Sequence, residues 1–207
     1  MAIADGMEIN CSNLQAVGGT RFIAVRAQTS TQEVVFDNSA HTITEIDQST
    51  GVGANWGVFE SRIESSSLTV SGTNEGKEFT TYECTVSWFV PGMTKSQFNQ
   101  IYKFDGDCLN VMVIDNNDET SGDTEPAATY GRNKVIGLSG TLPNQDTNAT
   151  ERSQQWARLS TVEGGTGAAF SDEMGVTVTI VGTQHEIPRT YVGTITIDAD
   201  GLGLVTT

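Results

Sequence analysis

Cations are scarce in this chain of 207 residues: 11 Lys and Arg stand against 26 Asp and Glu, a formal net charge of −15. Proteins that grip phosphate backbones need the opposite balance, because Lys and Arg supply their affinity by displacing counterions. The net field of this chain repels nucleic acid. Histidine is nearly as rare, and His41 and His185 lie far apart with no pattern such as H-E-x-x-H around either. Both read as surface or loop histidines, and His-centred catalysis has no support. The three cysteines, Cys11, Cys84 and Cys108, are odd in number and match no disulfide or metal framework. Reduced thiols in a cytosolic folding compartment are expected. No window approaches the ~18 consecutive apolar residues of a membrane span. The start, Met1-Ala-Ile-Ala-Asp-Gly-Met7, has neither the basic nor the apolar region of an export signal. Neither membrane insertion nor export is expected.

What the chain does contain is alternation. Hydrophobic residues make up 37%, and the 22 glycines bring the total close to that of an ordinary folded domain. The length suits one domain over residues 1–207. Strands are predicted over residues 20–27, after the Gly18-Gly19 pair, and over 42–46. Beyond Gly51-Val-Gly-Ala-Asn-Trp-Gly57, the runs 58–70 and 77–90 flank Ser71-Gly-Thr-Asn-Glu-Gly76 and read as a long hairpin. Its second arm places Tyr82, Cys84, Val86, Trp88 and Val90 on a core face, with Thr81, Glu83, Thr85 and Ser87 on a wet one. In the first arm Ile63 opposes Leu68 and Val70 in parity, which predicts a bulge over 64–67.

Thr94-Lys-Ser-Gln97 has the form of a capping box, and Phe98, Ile101 and Tyr102 recur at helical spacing before Asp105-Gly106. One short helix is predicted, its apolar stripe against a sheet. Further strands are predicted over 108–114, within 130–142, and over 156–162, 176–181 and 191–197, with polar loops at 115–128 and 143–152. About nine strands around one helix make the fold class mainly β: a β-sandwich or partly open barrel with one flanking α-helix and long loops.

No motif carries chemistry. Asp115-Asn-Asn-Asp-Glu119 offers oxygen ligands for a hard cation, but Thr120 stands where a calcium loop needs glycine and Pro126 where it needs glutamate. A solvated acidic loop is the better reading. Gly51-Val-Gly53 with Gly57 precedes a strand and misses the dinucleotide fingerprint, and Gly164-Gly-Thr-Gly167 lacks the Lys-Ser/Thr of a phosphate loop. Trp56 and Trp156 could stack on a sugar, whereas Trp88 belongs to the core parity of its strand. Catalytic residues, metal and cofactor are all expected to be none, and the chain is not expected to be an enzyme.

The order of elements says more. A Gly-Gly pair precedes the first strand; a long polar hairpin, one helix and Val111-Met-Val-Ile-Asp-Asn-Asn117 follow, the last entering a long polar loop. Then come Gly164-Gly-Thr-Gly167, Gly175-Val-Thr-Val-Thr-Ile180, Pro188 and Tyr191-Val. Together these resemble the major tail tube proteins of tailed bacteriophages, whose fold is shared with secretion-system tube proteins of the Hcp type. The resemblance rests on architecture and covers most of the chain.

It implies a virion structural protein, assembled in the host cytoplasm into the virion tail. Subunits would close into rings, usually hexameric, that stack into a conduit for viral DNA, alongside tape measure and terminator proteins. It also implies that the hairpin lines the channel, with Glu60, Glu64, Thr81, Glu83, Thr85 and Ser87 facing a lumen from which DNA phosphates are repelled. Gly72, Asn74, Asn117, Asp118 and Glu119 would lie in inter-subunit loops. Two other readings stay open: a head decoration or head-to-tail connector protein, and a β-sandwich glycan-binding module using Trp56 and Trp156. The acidity is equally consistent with simple solubility.

Overall fold

The computed structural model describes residues 20–27, 34–46, 56–60, 65–74, 76, 80–115, 133–138, 156–167, 173–193, 195–197 and 203–206. The apolar runs of the first and middle thirds fold as adjacent central strands. β1 (Thr20–Ala27) pairs antiparallel with β7 (Leu109–Asp115), and every residue of β7 from Leu109 to Ile114 is buried. Such a run has no wet parity because both of its faces are covered. On one side of this pair Ile23, Val25, Leu109, Val111 and Val113 belong to one core; on the other Ala24, Met112 and Ile114 belong to a second.

The first core lies between the central strands and a four-stranded antiparallel layer. Its strands are β5 (Ser66–Thr73), β6 (Thr81–Pro91), β10 (Gly175–Gln184) and β9 (Ala157–Gly165), in the order β5-β6-β10-β9. The predicted parity of the second hairpin arm holds: Cys84, Val86 and Trp88 are fully buried, and Tyr82 and Val90 pack against the same core. Opposite them, Val176, Val178 and Ile180 of β10 point inward. Each such side chain contributes about 1.5–3 kcal/mol by leaving water.

The second core is enclosed by strands that continue the central sheet in both directions. β4 (Trp56–Glu60), β13 (Gly203–Thr206) and β12 (Ile195–Ile197) extend it beyond β1. β8 (Lys134–Ile136), β11 (Arg189–Tyr191), β3 (Thr42–Ile46) and β2 (Val34–Asp37) extend it beyond β7. Trp56, Ile43, Ile46, Tyr191 and Ile195 fill the space between. The result is a mainly β fold with, among the described residues, one helix and thirteen strands in a mixed sheet, β11 pairing in parallel with β3, that does not close into a barrel. Among the described residues no helix is long and apolar enough to cross a membrane.

Three expectations need correction. The run 58–70 is not one hairpin arm: β4 pairs with β1 and β13, whereas β5 pairs with β6 from Ser66↔Trp88 to Thr73↔Thr81 without a register shift. Ile63 and Glu64, on which the expected bulge rests, lie outside the described residues. The strand extends through Thr73, so Gly72 lies within β5, where a Cβ would stand 2.9 Å from the Tyr82 ring. In the helix, α1 (Lys95–Tyr102), the Thr94–Gln97 capping box forms, but of the predicted stripe only Ile101 is buried. Phe98 is 40% and Tyr102 77% exposed, because Phe104, just past the helix, takes their place in the core against Phe59 at 5.3 Å.

Gly137 stands where β7, β8 and β9 converge, with φ +83° and only 2.5 Å between a built Cβ and the Leu109 carbonyl oxygen. Gly106, after α1, has φ +79° and open space around it. Both substitutions by Ala incur the left-handed penalty of about 1–2 kcal/mol, and only Gly137→Ala adds a backbone clash. Urea denaturation should show Gly137→Ala losing at least about 2 kcal/mol more than Gly106→Ala; equal losses would contradict this packing.

Candidate functional site

Alternation that buries one face of the four-stranded layer exposes the other, and the composition of that outward face is unusual. Paired across the strands are Ser67–Ser87–Thr179–Thr161, then Thr69–Thr85–Val181, then Ser71–Glu83–Thr183, with Thr73 beside Thr81 at the end. The Ser87 and Thr179 hydroxyls lie 3.3 Å apart, as neighbours on one face should. The face is therefore built mainly of hydroxyls, with Glu83 and Glu163 as exposed acids and with Val181 and Phe89, the latter beside Thr177, as its apolar members. Among the described residues its one cation is Arg158, whose guanidinium lies over the Trp156 ring at 5.6 Å.

Of the lumen residues expected from the sequence, Thr81, Glu83, Thr85 and Ser87 are thus brought together on this face. Glu60 lies elsewhere: its strand, β4, is in the central sheet and pairs with β1. Glu64 and the loop residues Asn117, Asp118 and Glu119 fall outside the described residues. Asn74 is exposed at the end of β5, its side-chain oxygen accepting from the Gly76 amide at 3.1 Å. The hydroxyl rows of β5 and β10 were missed, although the alternations Leu-Thr-Val-Ser at 68–71 and Val-Thr-Val-Thr at 176–179 carry them.

This layer also ends in two open margins. Among the described residues β5 pairs only with β6, and β9 pairs with β10 and otherwise meets β7 at the single position Leu109↔Ala157. Exposed strand margins are templates for another strand.

The proposed sugar platform does not form. Trp56 is fully buried in the second core with the Arg26 guanidinium 4.5 Å from its ring centre, so it presents no face to a ligand. Cys84 is a core side chain, its thiol pushed up to about 11 by burial first and by Glu83 second, and it stays protonated near neutrality. Among the described residues no three His, Cys, Asp or Glu side chains are grouped to hold a metal.

One polar cluster lies apart from the hydroxyl face. Buried Arg189 donates to both carboxylate oxygens of Glu186 at 2.9 Å and to the Asp37 carbonyl at 3.3 Å. Its guanidinium also covers the Phe36 ring at 5.1 Å. His41, at φ +56°, donates from Nε2 to the Ile187 carbonyl at 3.0 Å. Asp37 closes the β2–β3 turn by accepting from Ser39 and Ala40, and the Ser39 hydroxyl bond, followed by those two amides, holds its carboxyl below the usual range. This cluster fastens the β2–β3 turn to the chain between β10 and β11. Its role is structural.

No protein-family model, curated protein or solved structure matches the chain.

Removing the Glu186 carboxylate would leave a guanidinium buried without its counter-charge. Glu186→Ala is expected to lose about 2–3 kcal/mol in urea denaturation, below the full cost of a wholly buried pair because Glu186 is partly in water. A loss under about 0.5 kcal/mol would mean that the joint contributes no more than an exposed pair.

Proposed function

We propose that this chain is a phage virion structural protein, a tail tube subunit that polymerises into stacked rings forming a DNA conduit. The observation that carries this reading is the β5-β6-β10-β9 layer, which combines an outward face rich in hydroxyls and acids with margins that are open on both sides among the described residues. Closure removes margins altogether when neighbouring copies pair them, and the outward faces of such a ring become the wall of a channel. The expected stoichiometry is six, as the resemblance implies.

A wall of this composition suits DNA that must pass without sticking. Hydroxyls are short and neutral, Glu83 and Glu163 repel phosphates, and Arg158, the one cation of this face among the described residues, is outnumbered by these two acids. The partners are then other copies of the chain, tape measure and terminator proteins, and DNA in transit without specific binding. The location is the virion tail, built in the host cytoplasm.

Purified chain at high concentration, with and without a tail-tip complex to nucleate it, is expected to give rings or rods in the electron microscope; particles of one subunit under both conditions would contradict the reading. Glu83→Lys would place a band of positive charge at every ring while sparing core and margins. Tails carrying it are expected to assemble normally and to eject DNA more slowly, most clearly at low ionic strength where charges are least screened. Unchanged ejection there would remove Glu83 from the lumen.

A further inference from the structure

The two margins of the four-stranded layer complement one another. Between antiparallel strands each residue directs its N–H and C=O to one side only, in alternation. The Phe89 amide donates to the Ser65 carbonyl at 3.2 Å and the Gly92 amide to the Met174 carbonyl at 2.8 Å. These two bonds give the odd-numbered residues of β5 to β6 and the even-numbered residues of β6 to β10. Carried across β10 by Thr177↔Glu163 and Thr179↔Thr161, the alternation gives Thr161 and Glu163 to β10. The main-chain groups of Leu68, Val70 and Gly72 on one margin, and of Val162 and Gly164 on the other, therefore point away from the layer. None of them meets another strand among the described residues.

The side chains match too. Val70 pairs with Cys84 and Val162 with Val178, both fully buried, so both valines are on the core side of the layer; each is nevertheless 41% exposed. They stand at opposite margins, where the facing sheet no longer covers them. Because successive strands of the layer are antiparallel, β5 and β9 run in opposite directions. A second copy can therefore set its β9 antiparallel beside β5.

We infer that β5 of one copy pairs with β9 of the next in the register that places Val70 opposite Val162 of the next copy. The inference rests on the tube reading and identifies its partner surface as a second copy at a defined register. Hydrogen-bonding parity, facing parity and apolar match are satisfied together: the outward-pointing groups of both valines meet, and each covers the exposed area of the other. Leu68 then faces Gly164, which leaves room for it, and Thr69 and Ser71 face Glu163 and Thr161, continuing the hydroxyl face across the seam.

The register also fixes a stagger. Within one copy Val162 is level with Ser66 through Val178 and Trp88, whereas in the seam it is level with Val70, a shift of 70 − 66 = 4 residues over the four strands. One residue of shear per strand is in magnitude the proportion found in closed barrels, whose strands tilt by about 36°.

Ser71 and Thr161 fall opposite each other at a non-hydrogen-bonded position of this seam, with Cα atoms about 4.5 Å apart and within reach of a disulfide. In one copy they stand on opposite margins, three strand spacings of about 4.8 Å apart, beyond that reach. All positions substituted on the layer are exposed. In a Cys11→Ser, Cys108→Ser background, assembled and oxidised Ser71→Cys/Thr161→Cys is expected to give a ladder of covalent multimers on a non-reducing gel. Ser67→Cys/Thr161→Cys, which matches the unstaggered register, and each single variant should give none. A ladder from the Ser67 pair alone would overturn the register while keeping the paired margins. Covalent dimers from a single variant would replace the head-to-tail seam by a symmetric one. Tubes in the microscope without any cross-link would overturn the seam and spare the tube reading, and failure of the unsubstituted chain to assemble would overturn both.

Discussion

A β-strand offers main-chain hydrogen bonds to both of its sides, so each strand at the margin of a sheet carries a row of donors and acceptors that water or another strand must satisfy. In this chain β1 and β7 are paired on both sides and covered on both faces, which is why the two cores meet at them. The same pairing pushes the incomplete strands outward. β5 and β9 end the four-stranded layer with core-side valines only partly covered, and the properties proposed for the molecule follow from what could complete those two margins.

The outward face of the layer acquires meaning only together with its margins. Ser and Thr alternate with apolar residues in many sheets that simply face water, and hydroxyl rows alone would say no more than that. Joined edge to edge, however, such faces would form an uninterrupted wall with little positive charge, and the −15 net charge of the chain would act along a channel and not merely around a particle. The cluster around Arg189 and the fully buried Trp56 lie in the other part of the fold, where they hold strands together away from the wall.

Much of the fold was legible because local patterns and tertiary structure agree. The strands at Thr20–Ala27 and Thr42–Ile46, the parity of β6 and the Thr94 capping box each follow from neighbours within a few residues. The rest depends on contacts remote in sequence. Residues 58–70 carry a continuous strand-like texture, and only pairing with β1 on one side and β6 on the other divides them between layers. Trp56 follows a glycine-rich stretch that reads as a loop, yet pairing with Leu204 draws it into a strand and buries it. Phe98 and Tyr102 have helical spacing, but a helix of eight residues offers one narrow contact, which Ile101 and Phe104 occupy. The candidate seam was invisible for a similar reason: Val70 and Val162 look like ordinary core valines until the extent of the facing sheet is known.

Backbone amide exchange, read residue by residue in the dispersed chain and again after assembly, tests the central claim most directly, since main-chain pairing is what the two margins lack among the described residues. The amides of Leu68, Val70, Gly72, Val162 and Gly164 are expected to exchange rapidly in the dispersed chain and to become strongly protected in the assembled one, while those of Thr69 and Glu163, bonded within the layer, are protected in both. Amides at both margins that still exchange rapidly in assembled material would contradict the account, because the subunits would then be joined by some other surface.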